Sequence, residues 1–341
     1  MDRSARLILP ARALLIAAAG GVAATLVGLP ASWLTGAMAV SAAASIAGLD
    51  MRLPPPLITF AMILIGTLLG AGATPEIVAR ATAWPVSVVL LGVSVVAVQL
   101  AVQRFLTGFA GWDRATAFFA AIPGALSYVV VVAAAAGADV RKVAVSQSLR
   151  VFLLVALLPT IISAIESRAA VAPPRVVAGY AELALLLAAA TAGGLFLNWL
   201  RMPAGLLCGA LAASAILHAT GLVVGTLPLP GIVAVFVILG AFVGSRFVGT
   251  SLAFLGEIAL ASLGAFLVAI AVAVCFAGLS AAITKVDLPQ VLVAFAPGGL
   301  DSMTSLAIAL HMDVAFVAVH QLARFVGIAL TTPIIVRAMR K

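Results

Sequence analysis

The sequence predicts an all-α polytopic integral membrane protein built from two homologous halves. Of its 341 residues, 65% are hydrophobic and only 9% are charged, which lies far outside the range of soluble domains. Apolar stretches long enough to cross a hydrocarbon core of about 30 Å follow one another along the whole chain. A pattern of polar residues that occurs twice, at one spacing, indicates the two halves.

Twelve apolar stretches can be placed, six in each half. They cover 12–28, 31–48, 56–73, 84–106, 114–137, 141–165, 179–200, 203–220, 229–249, 254–282, 288–310 and 314–337. Several are close to the shortest length that crosses a bilayer, and some are therefore candidates for re-entrant segments. The alternative to twelve spans is that 114–137 and 288–310 re-enter without crossing. The chain has ten spans if these two segments re-enter and twelve if they cross, which gives five or six spans in each half.

The first apolar stretch is predicted to belong to the fold. The opening residues, MDRSARLILPARALLIAAAG, have the basic flank, apolar run and small residues of a signal peptide, which leaves cleavage near Ala19 as an alternative. The pair Gly20-Gly21 has a counterpart in Gly193-Gly194, at the spacing of the internal repeat. This match favours a first helix that is part of the repeated unit.

The two halves are predicted from residues that recur at one spacing. Identical residues lie 173 or 174 positions apart in the pairs Pro30/Pro203, Gly36/Gly209, Ser41/Ser214, Gly66/Gly240, Gly70/Gly244, Pro123/Pro297, Gly124/Gly298, Asp139/Asp313, Gln147/Gln321, Arg150/Arg324 and Pro159/Pro333. A hydrophobic composition explains repeated Ala or Val, but it does not explain repeated Asp, Gln and Arg. The domains are therefore a first membrane repeat at 1–165, a polar, Pro-rich linker at 166–178 and a second membrane repeat at 179–341.

The net charge of +8 is interpreted as a topology signal. Arg and Lys are scattered singly through short connections, and no connection is long enough for a DNA-binding domain. With ten or with twelve spans, the larger share of these cations lies on the side of the two termini. The positive-inside rule then places both termini in the cytoplasm. The expected location of the multi-pass chain is a bacterial inner membrane. Twelve spans make the halves parallel and ten make them inverted, and charge does not choose between these arrangements.

A Pro-Gly break is predicted near the middle of one helix in each half. Pro123-Gly124 and Pro297-Gly298-Gly299 lie inside apolar stretches, where proline removes a backbone donor and clashes with the preceding turn. A helix that restarts after such a break points free N–H groups and its positive dipole end into the membrane, which favours an anion. Interrupted helices at equivalent positions of internal repeats are typical of transporter sites. The alternative is a proline kink that only lets neighbouring helices pack.

Arg150 and Arg324 are candidate ligands for an anion. Each lies inside an apolar stretch, where an arginine costs about 2.5–3.5 kcal/mol at the bilayer centre and therefore needs a partner. Two arginines near two helix ends would make a cavity suited to a carboxylate, because the guanidinium fork matches carboxylate geometry. Alternatively, each arginine caps free carbonyls of the broken helix in its own half and holds the fold without touching substrate. The sequence leaves both interpretations open.

The second half is predicted to carry the more polar side of the site. Asp301 is the only carboxylate inside a predicted break, and His320 lies one helical turn from Arg324. Both are proton-coupling candidates. Asp301 could instead neutralise Arg324 or simply suit the first turn of a helix, and His320 could simply complete a hydrogen-bond network. The predicted substrate-binding set is Pro123, Gly124, Ser127, Gln147, Arg150, Pro297, Gly298, Gly299, Asp301, Ser302, Thr304, Gln321 and Arg324. Asp139 and Asp313 are predicted to be helix N-caps.

At these residues the chain resembles the AbrB family of membrane proteins with a duplicated domain. The resemblance covers essentially the whole chain and is carried by LPASWLTGA and MPAGLLCGA near the start of each half, and by PGGLDSM and the Q-x-x-R pattern toward the end. Family members have been labelled regulators of gene expression and ammonia monooxygenases. The resemblance implies a duplicated helical membrane protein with an expected role in transport.

A more distant resemblance is to cation/proton antiporters. These are similar in having a GLPxxxGxxxAG-like second helix, then a helix like FAMILIGTLLGAG, then a broken helix. This resemblance implies inverted halves and elevator-like alternating access, and the inverted arrangement is therefore favoured. The chain departs from the antiporters where they carry paired acidic or Asn-Asp residues, because it has Gln147-Ser148 and Gln321-Leu322 there. Sodium/proton exchange is not predicted for this reason.

The predicted function is secondary transport of a small organic anion or weak acid, with proton coupling as an option. No enzyme activity, cofactor or metal is expected, because no His, Cys and carboxylate cluster, catalytic triad or phosphate loop can be placed, and Cys208 and Cys275 are interpreted as packing residues. The expected partners are an anionic small molecule and membrane lipid, without direct nucleic-acid binding, and a homodimer is left open. The alternative is a membrane sensor that regulates gene expression through a partner protein.

Overall fold

The structure is a computed structural model that describes residues 3–72, 84–123, 126–165, 176–202 and 204–339. These residues are almost entirely α-helical, as the sequence predicts. The described residues of the first half form α1 (Arg3–Leu26), α2 (Ser32–Ile46), α3 (Pro55–Gly70), α4 (Trp84–Gly108), α5 (Arg114–Ala121), α6 (Leu126–Ala135) and α7 (Val140–Ile165). Those of the second half form α8 (Tyr180–Trp199), α9 (Gly205–Ala219), α10 (Leu229–Gly244), α11 (Leu252–Thr284), α12 (Leu288–Phe295), α13 (Leu300–Ala309) and α14 (Val314–Met339).

Six helices are long and apolar enough to cross a membrane, by length and composition within the described residues. They are α1, α4, α7, α8, α10 with the 3₁₀ turn Ser245–Phe247 that follows it, and α11. Shorter apolar helices are α2, α3, α9 and residues Val314–Ile328 of α14. The fold is therefore that of a helical membrane protein. The number of spans, the inner-membrane location and the orientation of the termini stay predictions.

Helices α5 and α12 end shortly before the two predicted Pro-Gly positions. Helix α5 ends at Ala121 and α6 begins at Leu126, while α12 ends at Phe295 and α13 begins at Leu300. Proline lacks the N–H that would continue each first helix, which accounts for the ends at these places. We call Ile122 and Pro123, which follow α5, the first interruption and residues 296–299 the second. Whether each pair of short helices is one broken span or a re-entrant segment stays a prediction.

The chain divides into two compact units, and each unit takes helices from both predicted halves. The first unit comprises Met1–Thr82, Val155–Gly249 and Thr304–Phe316, and so contains α1, α2, α3, α8, α9 and α10. The second comprises Ala83–Leu154, Thr250–Met303 and Val317–Lys341, and so contains α4, α5, α6, α11 and α12 with most of α14. Most of the predicted linker, residues 166–175, lies outside the described residues.

Helices of the first unit pack through small residues. Helix α2 packs against α1 and α10, and α9 packs in the same way against α8 and α3. A Cβ atom on Gly36 would lie 2.2 Å from the carbonyl oxygen of Gly20, and one on Gly209 would lie 2.0 Å from that of Gly193. Since real Cβ atoms never approach so closely, glycine is required where α2 crosses α1 and where α9 crosses α8.

The second unit is organised around α4 and α11, which pack against each other. Helix α5 packs against α4, and α12 packs against α11. A Cβ atom on Gly264 of α11 would lie 2.3 Å from the ring of Phe105 in α4, so the two long helices meet through a glycine and an aromatic ring. The interrupted helices are thus carried by two long apolar helices of the same unit.

Candidate functional site

Side-chain amides and a guanidinium cap the end of α5 at the first interruption. Gln147 donates from Nε2 to the carbonyl oxygen of Phe119 at 2.8 Å. Arg150 donates from Nη1 to Ala120 O at 3.3 Å and from Nη2 to Ile122 O at 2.8 Å. The last four carbonyls of a helix have no partner within it, so these contacts satisfy oxygens that would otherwise be buried and unpaired.

The second interruption has the same arrangement. Gln321 donates from Nε2 to Val293 O at 3.0 Å and to Ala294 O at 3.2 Å. Arg324 donates to the carbonyl oxygens of Ala296 and Gly298 and to Oε1 of Gln321. Gln and Arg lie three residues apart on α7 and again on α14, which places both side chains on one face of each helix.

Both arginines therefore cap backbone carbonyls, which is the second of the two interpretations of the sequence. A guanidinium carries five N–H donors, and these contacts leave some of them unused. Nε of Arg150 is buried and has no hydrogen-bond partner among the described residues. Substrate binding by the predicted set stays a prediction.

Two buried positive charges lie in the second unit. Arg150 and Arg324 are each only 5% exposed. The salt bridges among the described residues are Arg52–Asp50 and Lys142–Glu257, so neither buried arginine is paired with a described carboxylate. Carbonyl dipoles solvate both cations, but they do not neutralise them.

The helix that restarts after the second interruption begins with polar side chains. Asp301 lies in the first turn of α13, and its Oδ1 approaches Gly299 closely. Ser302 is 1% exposed, and its Oγ has no hydrogen-bond partner among the described residues. Thr304 is also buried, but it falls within the first compact unit. The second unit therefore brings Asp301 and Ser302 to the same interruption as Gly298 and Arg324.

His320 is buried in a hydrogen-bonded chain of side chains. Its Nε2 lies 2.7 Å from Oγ of Ser87, which in turn donates to the carbonyl oxygen of Trp84 at 2.9 Å. The tautomer of His320 determines whether Nε2 or Oγ of Ser87 is the donor in this hydrogen bond. The hydrogen-bond network that the sequence offered as an alternative for His320 is therefore present. Its role in proton coupling stays a prediction.

Two members of the predicted site lie wholly or partly outside the described part of the chain. Gly124 is not described, and the side chain of Ser127 is not described. Pro123 and Pro297 are both buried next to the ends of α5 and α12. Among the described residues, no group of three or more His, Cys, Asp or Glu could hold a metal ion.

The predicted helix caps are confirmed. Oδ1 of Asp139 accepts from the backbone N of Lys142 at 3.0 Å, and Oδ1 of Asp313 accepts from the backbone N of Phe316 at 3.0 Å. These caps fix where α7 and α14 begin, and therefore fix the register that aims Gln147 and Gln321 at the interruptions.

Sequence reasoning missed three polar residues that hydrogen-bond to the helices around the interruptions. Oγ1 of Thr116 accepts the backbone N–H of Asp139 at 2.8 Å, and Gln99 donates to Phe118 O at 2.9 Å. Oγ of Ser87 is hydrogen-bonded to His320. Gln99 and Ser87 have no counterpart 174 residues further on, so the repeat did not mark them. Their position inside a long apolar stretch was the available signal, because a polar residue there needs a partner.

Comparison with known proteins gives one family and two full-length relatives. The family model described as "Transition state regulatory protein AbrB" matches residues 33–340. The chain is 28% identical over 323 residues to "Putative regulator AbrB" of Escherichia coli (strain K12), an alignment that covers 91% of this chain and 90% of the relative. It is 24% identical over 352 residues to "Uncharacterized protein YhjN" of Bacillus subtilis (strain 168), with coverage of 93% and 90%.

Proposed function

This chain belongs to the AbrB family, and on that premise we propose that it is a secondary transporter of a small organic anion or weak acid. The observation that carries the proposal is the pair of buried guanidinium groups, one at each interruption. A bound carboxylate would supply the negative charge that the described residues around Arg150 and Arg324 do not supply as a salt bridge. No catalytic step is proposed.

The local backbone also favours an anion. Helices α6 and α13 begin just after the interruptions, and the N-terminus of a helix carries a partial positive charge. The preceding helices, α5 and α12, direct their negative C-terminal ends to the same places. Gln147 and Arg150 hydrogen-bond the carbonyl oxygens there after α5, and Gln321 and Arg324 do so after α12. The capping contacts therefore remove the negative ends and leave the positive ends, so that capping by the arginines supports anion binding.

The proposed transporter has two homologous halves. Successive helices of the two halves have matching lengths, such as the 15 residues of α2 and α9 and the 16 of α3 and α10. Contacts of the first unit are reciprocal, since Gly66 of α3 meets Leu207 of α9 while Gly240 of α10 meets Met38 of α2. Both observations support an internal duplication with interrupted helices, and the inverted arrangement is the one we favour.

Proton coupling is assigned to Asp301 and His320. Asp301 is the carboxylate closest in sequence to the second interruption, and His320 lies on α14 one turn from Arg324. A carboxylate beside a site for an anion opposes binding unless it is protonated, so proton uptake and substrate uptake would be linked. This linkage supports symport of a proton with the anion.

Ligand-dependent thermal stabilisation of the purified protein tests the proposal. Ligands that bind the folded state raise its melting temperature by mass action. The panel contains mono-, di- and tricarboxylates, amino acids and monovalent cations, and hits are then tested for uptake into proteoliposomes. We expect one class of carboxylates to stabilise the protein and to be taken up, while cations do neither.

Ser302→Ala locates the bound ligand. Its hydroxyl has no partner among the described residues, so its loss should not weaken the unliganded fold. The matched control is Ser262→Ala in α11, another buried serine of the second unit whose hydroxyl has no described partner. We expect Ser302→Ala to reduce the ligand-induced shift and Ser262→Ala to preserve it. Equal effects of the two substitutions, or no shift with any carboxylate, would contradict an anion site at the second interruption.

A regulatory role is the second candidate, because the name of the E. coli relative and the family description both specify a regulator. In that case the chain binds a small molecule in the membrane and affects gene expression through a partner protein. Stabilisation by a carboxylate without any uptake into proteoliposomes would favour this sensor over the transporter.

A further inference from the structure

A groove on the second unit runs along α4. It consists of two adjoining cavities with volumes of about 290 Å³ and about 460 Å³. The first is lined by residues of α4, α5, the first interruption and α14, and the second by α4, Trp112 of the connection from α4 to α5, and Arg114 at the start of α5. Leu100, Gln103 and Arg114 line both cavities, so the two form one continuous groove.

The groove changes from apolar to basic along its length. Val96, Leu100 and Arg104 line it at intervals of four residues and therefore form one row on α4. At 1.5 Å per residue, the lining residues from Val96 to Thr107 span about 17 Å, roughly half the thickness of the hydrocarbon core. Trp112, an aromatic residue of the type that favours the membrane interface, lines the groove at its basic end.

The apolar part of the groove is open to the surroundings. Val96 is 59% exposed and Leu100 is 45% exposed. These side chains lie on a helix that is long enough to span the membrane, so hydrocarbon chains have access to them. Ile122 and Pro123 of the first interruption line the same cavity.

The basic end has two cations and no salt bridge. Neither Arg104 nor Arg114 is paired with a carboxylate among the described residues. Asp113 lines neither cavity, and its Oδ1 accepts from the backbone N of Thr116 at 2.9 Å. Partial burial acts to raise the pKa of the Asp113 carboxyl, but its hydrogen bonds with Thr116 and other backbone amides outweigh this, and the pKa lies below its ordinary value. The Asp113 carboxylate therefore caps the N-terminus of α5.

We propose that this groove binds an anionic phospholipid, with the phosphate at Arg104 and Arg114 and an acyl chain along Val96 and Leu100. Arginine donors match phosphate oxygens, and basic residues at the end of a membrane helix select anionic over zwitterionic headgroups. With ten or with twelve spans, the predicted topology places the start of α5, where Arg114 lies, on the cytoplasmic side, which carries most of the cations. The lipid site goes beyond the transport proposal and does not depend on it.

Binding is measured on the detergent-purified full chain by native mass spectrometry and by thermal melting. The probes are phosphatidylglycerol, phosphatidylcholine with the same acyl chains, and inorganic phosphate. We expect phosphatidylglycerol to bind and stabilise more strongly than phosphatidylcholine. Inorganic phosphate should have little effect, because it lacks the chain that occupies the apolar part.

The double substitution Arg104→Gln/Arg114→Gln tests the basic end. It should weaken phosphatidylglycerol binding about tenfold or more and weaken phosphatidylcholine binding much less, because the choline cation already offsets the phosphate charge, so that the preference for phosphatidylglycerol is lost. The matched control, Arg52→Gln/Arg201→Gln, removes the same charge from exposed arginines outside the groove and should retain the preference. Equal binding of the two lipids by the unmodified protein would overturn the proposal. So would a preference that survives in the groove variant, or a response to inorganic phosphate as large as that to the lipid.

Discussion

At the scale of residues, Arg150 and Arg324 combine a structural contact with an unneutralised charge. An arginine at the bilayer centre costs about 2.5–3.5 kcal/mol, and an unsatisfied buried carbonyl costs about 1–3 kcal/mol. Each arginine caps two carbonyls of the backbone, at Ala120 and Ile122 or at Ala296 and Gly298. The two effects are of similar size, so capping offsets the insertion cost.

Arg324→Ala should therefore lower stability as well as ligand binding. The substitution leaves Ala296 O and Gly298 O without their donor, a loss of about 2–6 kcal/mol if water does not replace it. The stability of Arg324→Lys should lie between those of the unmodified protein and Arg324→Ala, because a single ammonium cannot bond two carbonyls as the forked guanidinium does. Thermal melting of the detergent-purified variants measures the effect.

The control for this measurement is Arg52→Ala. The Arg52 side chain is 71% exposed and lies 3.8 Å from Asp50, an ion pair of the kind that contributes about 0–1 kcal/mol. If Arg324→Ala melts at the same temperature as Arg52→Ala, the capping contacts do not stabilise the fold.

Asp301→Asn should alter the pH dependence of uptake more than the apparent affinity. The amide preserves the shape of the side chain in the first turn of α13 but cannot take up a proton. Proteoliposome uptake of the identified carboxylate, measured between about pH 5 and 8, should become less dependent on pH. Asp287→Asn is the control, because Asp287 is an exposed residue that makes no side-chain cap. An unchanged pH profile in Asp301→Asn would remove Asp301 from the coupling step.

At the scale of elements, the helix positions follow from local sequence, but the capping contacts do not. Helices α5 and α12 end shortly before Pro123 and Pro297, whose missing N–H groups account for these helix ends. The carbonyls that Gln147 and Arg150 cap lie 28 to 30 residues away along the chain, and the sequence therefore offered capping only as one of two alternatives. Thr116, which accepts the N–H of Asp139, was missed for the same reason.

A glycine-to-alanine substitution should lower the stability of the protein at one helix position and raise it at another. Gly209→Ala places a Cβ 2.0 Å from Gly193 O, so α8 and α9 must separate, at a cost of about 1–3 kcal/mol. Gly278→Ala in α11 meets nothing within 4 Å and should gain up to about 1 kcal/mol of helix propensity. Thermal melting of the two variants compares them directly. A Gly209→Ala protein that is as stable as Gly278→Ala would contradict the close helix crossing.

At the scale of the whole molecule, the sequence predicts a duplication, whereas the contacts group the helices differently. Each compact unit combines helices of both halves, such as α3 with α9 and α4 with α11. A sequence read in order divides the chain at its polar linker, because composition changes there and nowhere else. Packing between helices that are distant in sequence leaves no such mark, which is why the grouping could not be predicted.

The orientation of the halves can be decided by labelling two equivalent positions from outside the cell. Leu49 follows α2 and Leu222 follows α9 at the spacing of the repeat, and both side chains are exposed. Each is replaced by Cys after removal of Cys208 and Cys275, of which Cys275 is exposed and would itself react. The reagent is a membrane-impermeant maleimide, applied to spheroplasts and to lysed membranes.

Inverted halves with ten spans place Leu49 in the cytoplasm and Leu222 outside, whereas parallel halves with twelve spans place both in the cytoplasm. We therefore expect Leu222→Cys to react in intact spheroplasts and Leu49→Cys to react only after lysis. Labelling of both positions only after lysis would establish parallel halves. In that case the stretches 114–137 and 288–310 would each cross the membrane, and the two interruptions would be breaks within spans.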